Sequence, residues 1–200
     1  MNINTTYTKI ITGEDLMETA QHGSTLYPFQ FYYEDLSVFD FNCIEWHWHT
    51  ELEFIYIESG TVTLWIGEDQ FHLTEGNGIF INTKVLHRLY SPSKALIPNF
   101  VFMPSFIAPC DSLIYQKYIL PIISSSLPFL VFHKKVCWQA KVLSIMRQII
   151  SAQDSVLSKE LLTSSLLQNL WLEIFENTDI SYQEEHKDHS TASQARLQLM

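Results

Sequence analysis

The sequence predicts a mainly β domain, an antiparallel barrel or sandwich, followed by two α-helices. Between residues 43 and 103, short apolar runs rich in β-branched and aromatic residues alternate with turn residues, a pattern typical of antiparallel sheets. After about residue 128 the period of the apolar residues changes from two to 3.6, which indicates helices. The 200 residues, 46% of them hydrophobic, suffice for one packed domain with an appendage.

Six strands are expected at nearly even spacing: residues 52–58, 61–66, 70–73, 79–82, 86–91 and 99–103. Only Ser59 and Gly60 separate the first two, and a two-residue Ser-Gly connection is typical of a β-hairpin. The residues before 43 have no clear period and contain Gly23, Pro28 and several aromatic residues. We expect this segment to supply an arm that packs on the rest of the domain.

The two predicted helices differ in how widely their apolar residues are spread. The first carries Trp138, Val142, Ile145, Met146 and Ile149 on one face. The second, from about 157 to 175, is apolar on more than one stripe. Such a helix packs either wholly within its own core or against both the barrel and a partner subunit. Residues 177–194 are polar and mostly acidic, typical of a linker, and a new apolar pattern starts at Arg196.

Charge and cysteine content exclude several classes of protein. Lys and Arg total 12 against 22 Asp and Glu, for a formal net charge of -10, so this chain is not expected to grip DNA by itself. The three cysteines show no C-x-x-C spacing, which argues against a disulfide framework and a thiolate zinc knuckle. No basic segment with an apolar run opens the chain, and no apolar stretch approaches a membrane span. We therefore expect a cytoplasmic protein.

The stretch of residues 46–53 carries the candidate chemistry. His47, His49 and Glu53 are separated from one another by even numbers of positions. On one regular strand their side chains would therefore point to the same side, together with that of Glu51. Two imidazoles and a carboxylate suffice to bind a divalent transition metal. His87 is the natural third imidazole. His72 is the other candidate, but its local pattern is that of an exposed strand position.

These residues resemble the two conserved motifs of the cupin superfamily. His47-x-His49, three residues, Glu53, six residues and Gly60 match the first motif. Gly76 and His87 match the second. The sequence departs from the pattern at Phe41, Asn82, Lys84 and Ser91, which stand where the motifs have Gly, Pro, Gly and Asn. The resemblance implies a cupin-type double-stranded β-helix, a jelly-roll barrel, followed by the two α-helices.

The order of elements resembles the N-terminal half of AraC-type bacterial transcriptional regulators. In that family the barrel binds a small effector, the helices form a homodimer, and a C-terminal pair of helix-turn-helix units reads DNA. The resemblance implies four segments: an N-terminal arm (1–24), a cupin-like effector-binding barrel (25–128), a helical dimerisation segment (129–178) and a linker (179–200). Contact with DNA is then expected only through a domain beyond residue 200, with no membrane partner and no enzymatic activity.

The expected effector site consists of His47, His49, Glu53 and His87, with Phe100 from the strand facing it. The same four polar residues are the candidate ligands of a divalent transition metal, and direct binding of the effector by these groups is the alternative. Aromatic residues are plentiful in the predicted strands, which favours a sugar or a similar molecule. Two other functions stay open: a small cupin metalloenzyme, a dioxygenase or isomerase using the three-His one-Glu site, and a structural domain with an empty barrel.

Overall fold

The structure, a computed structural model, describes residues 2–178 as two antiparallel sheets covered on one side by helices. The strands are β1 (Phe29–Asp35), β2 (Cys43–His47), β3 (Leu52–Tyr56), β4 (Thr61–Ile66), β5 (Asp69–Thr74), β6 (Gly78–Ile81), β7 (His87–Tyr90), β8 (Leu96–Phe102) and β9 (Phe129–Phe132). The helices are the short α1 (Leu120–Ile123) and the longer α2 (Cys137–Ala152) and α3 (Lys159–Asn177). The predicted mainly β barrel followed by two long helices is therefore confirmed.

The two sheets face each other across an aliphatic interior. The five-stranded sheet has the order β1-β8-β3-β6-β9, and the four-stranded sheet has the order β2-β7-β4-β5. Ile55, Leu64, Ile81 and Leu89 belong to one buried cluster between the sheets. Because side chains alternate along a strand, the neighbours of the inward residues of the five-stranded sheet point outward, and this outer face is also buried.

The outer face of the five-stranded sheet is aromatic and lies under α2 and α3. Phe54, Phe80, Phe100, Phe102 and Phe132 are all fully buried in the cluster that also contains the apolar faces of both helices. The Phe54 ring lies 5.3 Å from that of Phe100 and 5.0 Å from that of Phe80, centroid to centroid. This second core attaches the helices to the barrel.

Three details of the predicted strand order are wrong. The runs at 52–58 and 61–66 do not form a hairpin, because β3 and β4 lie in different sheets and Gly60 carries the chain from one to the other. Gly60 has φ +89°, and a Cβ there would lie 2.7 Å from the Lys94 carbonyl oxygen. The residues of β1 were expected to belong to an irregular arm with aromatic residues, but they form a strand that pairs with β8. Strand β9 pairs with β6, so the barrel extends beyond the predicted boundary at residue 128.

Between β8 and β9 the chain leaves the sheet and returns to it. This excursion contains a π-helical turn, Tyr115–Ile119, followed directly by α1. The side-chain amide of Asn82, 4% exposed, donates hydrogen bonds to the carbonyl oxygens of Ile122 (3.1 Å) and Leu127 (2.9 Å). Asn82, which replaces the expected motif proline, therefore fixes the excursion to the end of β6.

The predicted N-terminal arm packs on the barrel without forming a regular strand. Its backbone is hydrogen-bonded to the barrel: Asn4 N donates to the Tyr33 carbonyl oxygen (2.8 Å), and Trp48 N donates to the Leu16 carbonyl oxygen (3.1 Å).

No helix among residues 2–178 is both long and apolar enough to cross a bilayer. The expected linker, 179–200, lies outside the described residues.

Candidate functional site

The structure brings the four predicted polar residues together at one end of the barrel interior. The ring centroids of His47 and His87 lie 4.1 Å apart, and those of His49 and His87 lie 5.4 Å apart. Glu53 Oε2 is 3.1 Å from His87 Nε2 and 3.4 Å from His49 Nε2. All four residues are at most 7% exposed. We call this group the His/Glu cluster.

The alternation of side chains had suggested that the cluster lies on one regular strand. The structure instead assembles it from both sheets. His47 ends β2 and His87 begins β7, which pair with each other in the four-stranded sheet. Glu53 belongs to β3 in the five-stranded sheet, and His49 lies in the link between β2 and β3. The strand therefore breaks between the predicted ligands, but the link is short enough to direct them into the same space.

Two of the imidazoles are oriented by their own backbone. His47 Nδ1 lies 2.8 Å from the Glu45 carbonyl oxygen, and His87 Nδ1 lies 2.8 Å from that of Val85. Because a carbonyl oxygen only accepts, each Nδ1 carries a hydrogen and each Nε2 is left to face the interior of the cluster. His87 Nε2 then faces an oxygen of Glu53 and makes no well-aligned hydrogen bond. Two electron-pair donors 3.1 Å apart are stabilised by a proton or a cation between them.

Burial and mutual charge set the protonation of the cluster. Burial and the neighbouring charges of His87 and His49 hold the pKa of His47 well below its usual range. Burial raises the pKa of Glu53, but the polar contacts and charges of His49 and His87 outweigh it and hold that pKa well below its usual range. The cluster therefore combines a neutral imidazole with an ionised carboxylate, the states in which both bind a metal ion.

Two of the residues that depart from the cupin pattern have a left-handed backbone conformation. Phe41 and Lys84, which replace glycines of the cupin pattern, have φ angles of 57° and 60°. This left-handed region favours glycine, because a side chain there meets its own backbone. The Lys84 amide donates to the His49 carbonyl oxygen at 2.7 Å, so this conformation supports the link that holds His49.

A narrow cavity, about 30 Å³ when measured as space for the centres of water molecules, adjoins the cluster. It has room for about two water molecules. His47, His49 and Glu53 line it from the barrel. Tyr7, Ile10, Glu18 and His22 line it from the N-terminal arm. A larger molecule can enter only if the arm moves outward.

A second polar group lies in the same cavity and was not predicted from the sequence. Glu34 is 4% exposed, accepts a hydrogen bond from the Tyr7 hydroxyl (2.6 Å) and another from the Asn99 amide (2.9 Å). Burial raises the pKa of Glu34 to about 7, although both hydrogen bonds lower it and the charges of Glu53 and Glu18 raise it further. The available signal was a glutamate inside an aromatic strand, two positions after Tyr32.

His22, from the N-terminal arm, is also in the cavity. It is 6% exposed, with Nδ1 2.9 Å from the Tyr32 hydroxyl and Nε2 3.3 Å from Glu18 Oε2. Burial lowers the pKa of His22, but the hydrogen bond and charge of Glu18 outweigh it, and the pKa is raised. Nothing in the arm sequence distinguishes this histidine from an exposed one.

Phe100 is not in the cavity. It lies in the aromatic core under the helices, and its neighbours Asn99 and Val101 line the cavity instead. The expectation failed by one position, because alternation along β8 turns every second side chain outward. Glu51 lies beside His49, with Oε2 3.8 Å from Nδ1. His72 is exposed on β5, as its pattern indicated.

Comparison with known proteins agrees with this architecture. The chain is 24% identical over 143 residues to the uncharacterized HTH-type transcriptional regulator YdeC of Bacillus subtilis (strain 168), covering 70% of this chain and 48% of that protein. This chain thus spans about half the length of its curated relative.

Among solved structures, ToxT from Vibrio cholerae O395 matches with a TM-score of 0.50 at 12% identity, over 76% of this chain and 56% of that chain. An RmlC-like cupin from Shewanella frigidimarina NCIMB 400 matches with a TM-score of 0.35 at 17% identity, over 38% of this chain and 67% of that chain. The family described as the AraC-like ligand binding domain matches residues 30–171. The chain therefore belongs to the AraC-like ligand-binding domain family.

Proposed function

We propose that this chain is the effector-sensing and dimerisation part of a cytoplasmic transcriptional regulator, in which a small polar molecule controls DNA binding by a helix-turn-helix domain elsewhere in the intact protein. Its role is binding and not catalysis. The relative of known class, a regulator of the HTH type, supports this assignment. The observation that carries it is the polar cavity between the barrel and the N-terminal arm.

The cavity contains buried groups that a ligand would satisfy. Two of the histidines that line it have a buried ring nitrogen without a well-aligned hydrogen bond: His22 Nε2 lies 3.3 Å from Glu18 Oε2, and His49 Nδ1 lies 3.8 Å from Glu51 Oε2. An unsatisfied buried polar group costs about 1–3 kcal/mol. Two such groups in one cavity favour a bound ligand over an empty structural barrel.

Most of the aromatic residues that favoured a sugar as the effector do not line the cavity. Tyr56, Phe80, Phe100 and Phe102 lie in the core under the helices. The tyrosines of the cavity are Tyr7 and Tyr32, contributed by the arm and β1. We therefore propose a small polar effector and leave neutral sugars as one class to be tested.

A binding panel tests the effector role. The chain is mixed in turn with neutral sugars, aliphatic amines and small carboxylates, and the melting temperature is measured by calorimetry. We expect one class to raise the melting temperature of the wild type and of His72→Ala, the matched control on the exposed face of β5. His49→Ala should melt cooperatively without ligand and lose most of the shift. Equal shifts in both variants would remove the His/Glu cluster from the effector site.

The dimer contact is proposed to involve α3. Leu161 and Leu172 are 77% and 49% exposed. They are separated by three turns and lie on the same side of the helix. Leu162, 40% exposed, follows Leu161 about a quarter of a turn further round the helix. Exposed leucines on a helix that is already packed on its own barrel are candidates for a subunit contact.

Sedimentation velocity tests this contact. The double variant Leu161→Glu, Leu172→Glu should sediment as a monomer at concentrations where the wild type is dimeric. Gln70→Glu, which adds a charge on the outer surface of β5, should stay dimeric. If the double variant associates as tightly as the wild type, the contact lies elsewhere.

A second candidate function rests on the His/Glu cluster as a metal site. Ligand nitrogens of His47, His49 and His87 all lie within 4.8 Å of one another, and Glu53 is the adjacent carboxylate. Nitrogen and carboxylate ligands suit a divalent transition metal, and the unpaired His87 Nε2 fits one. Such an ion would supply Lewis acidity to a metalloenzyme. An enzyme would also need an acid or base at the metal. Glu51, the nearest further carboxylate in the sequence, lies 3.8 Å from His49 Nδ1, on the side of the ring away from Glu53, which disfavours catalysis.

Metal binding is measured directly. After dialysis against zinc or manganese and removal of free ion, elemental analysis should find about one ion per chain in the wild type and in His72→Ala, and much less in His87→Ala and Glu53→Gln. Full occupancy in both cluster variants would contradict the metal assignment. Turnover of a substrate by the loaded wild type would favour the enzyme.

A further inference from the structure

The end of the cavity away from the His/Glu cluster is a second place for a polar group of the effector. Glu34, Asn99, Tyr7 and Tyr32 line it, and we call these residues the Glu34 end. Tyr32 and Asn99 are register partners on β1 and β8, so this end is built on the rigid sheet and closed by Tyr7 from the arm.

The Glu34 end is rich in hydrogen-bond acceptors and contains no lysine or arginine. Among the lining residues that the structure describes, three are glutamates (Glu18, Glu34 and Glu53) and none is Lys or Arg. The Glu34 carboxylate is buried and forms no ion pair with any residue between 2 and 178. A buried carboxylate without a positive partner is unfavourable. A small anion placed beside it would add repulsion.

The capacity of these groups matches an ammonium ion. Each carboxylate oxygen of Glu34 accepts one hydrogen bond, from Tyr7 or from Asn99, and has a further lone pair. The hydroxyl groups of Tyr7 and Tyr32 also accept. An ammonium group offers three donors and no acceptor, and tyrosine rings attract cations. A neutral hydroxyl would satisfy fewer of these acceptors.

An independent observation indicates that the ligand carries another polar group. His22 lines the same cavity, is 6% exposed, and its Nε2 has no well-aligned hydrogen-bond partner. Its other nitrogen already contacts the hydroxyl of Tyr32, which connects it to the Glu34 end. His22 Nε2 lies 3.3 Å from Glu18 Oε2, and a hydroxyl on the ligand, able both to donate and to accept, would give this nitrogen a well-aligned partner in either tautomer.

We propose that the effector is a small hydroxylated amine and that Glu34 binds its ammonium group, with His22 contacting the hydroxyl. This inference rests on the proposed effector function and names the chemical class of the ligand. Because the cavity is small, the effector has few heavy atoms or displaces the wall formed by the arm.

Three molecules of equal length that differ in charge test the proposal: 3-aminopropan-1-ol, propane-1,3-diol and 3-hydroxypropanoate. Each is titrated into the wild-type chain by calorimetry at pH 8 and constant ionic strength. We expect the amino alcohol to bind at least tenfold more tightly than the diol, and the hydroxy acid to bind no better than the diol. Equal or tighter binding of the diol or the hydroxy acid would overturn the proposal.

Two variants distinguish binding of the amine at Glu34 from its non-specific electrostatic attraction to an acidic protein. Glu34→Gln should lose the preference for the amine, whereas Glu68→Gln, which removes an exposed carboxylate in the turn between β4 and β5, should keep it. A preference that survives in Glu34→Gln would also overturn the proposal. If another class binds and depends on His49, effector sensing stands and the amine is wrong. If no molecule of the panel or of this series binds in a His49-dependent manner, the proposed function itself fails.

Discussion

Replacing Glu34 with glutamine should change how the stability of the protein depends on pH. Burial raises the pKa of Glu34 from 4.5 to about 7, so the folded state holds its proton more tightly than the unfolded chain. The cost of ionising this group in the folded protein is absent below about pH 4.5, grows between the two pKa values, and is complete above about pH 7. Glutamine has the shape of the protonated carboxyl group and cannot ionise.

The size of the effect follows from the shift. At 1.36 kcal/mol for each pKa unit, a shift of this size corresponds to about 3 kcal/mol above pH 8 and less than about 1 kcal/mol at pH 5. The contacts should survive, because the amide oxygen of the glutamine can accept from Asn99 and its amide nitrogen can donate to the Tyr7 hydroxyl. We therefore expect the stability difference between Glu34→Gln and the wild type to change by about 2–3 kcal/mol from pH 5 to pH 8.5, in favour of the variant.

Urea unfolding followed by circular dichroism at a series of pH values measures this difference. Subtracting the wild-type curve from the variant curve cancels the contributions of the other groups facing Glu34, namely Tyr7, Tyr32, Glu18 and Glu53, as long as the variant does not shift them. Glu68→Gln, an exposed carboxylate, should run parallel to the wild type. Parallel curves for Glu34→Gln would refute the assignment of Glu34 as a buried carboxyl with a raised pKa.

Two further substitutions test the packing and the turns. Phe100→Ala should destabilise the protein by about 3–5 kcal/mol in urea unfolding, because it leaves a hole in the aromatic core. It should leave ligand and metal affinity unchanged at temperatures where it is folded, and a selective loss of affinity would return Phe100 to the site. Lys84→Gly should stabilise by up to about 1 kcal/mol, because an exposed lysine leaves a positive φ angle. Lys84→Ala should not, and an equal gain in both would exclude backbone strain.

Much of the barrel could be predicted because its signals are local. Turn residues separate the strands, and the runs at 61–66 and 70–73 match β4 and β5 to within a residue at each end. The His/Glu cluster could be identified from motif spacing, although the structure assembles it across a broken strand. The motif spacing therefore identified the correct residues even where alternation on one strand did not apply.

The other half of the cavity was not predictable, because it depends on contacts between distant segments. Glu34 meets Tyr7 and Asn99 across separations of 27 and 65 residues, and nothing local marks any of them as polar groups of one site. Phe100 was misplaced because its strand is buried on both faces, so that hydrophobicity does not distinguish the inner from the outer side. Strand β9 was not recognised in the sequence because its four residues come shortly before the helical pattern of α2.

Trp171 is positioned to serve as an intrinsic fluorescence probe. Its ring is 3% exposed, packs edge-on against Phe80 at 6.0 Å, and donates from Nε1 to the Tyr118 carbonyl oxygen at 2.9 Å. The other four of the five tryptophans are only partly buried. Its fluorescence should therefore lie at the blue edge of the emission, where it monitors contact between α3 and the sheet separately from events inside the barrel.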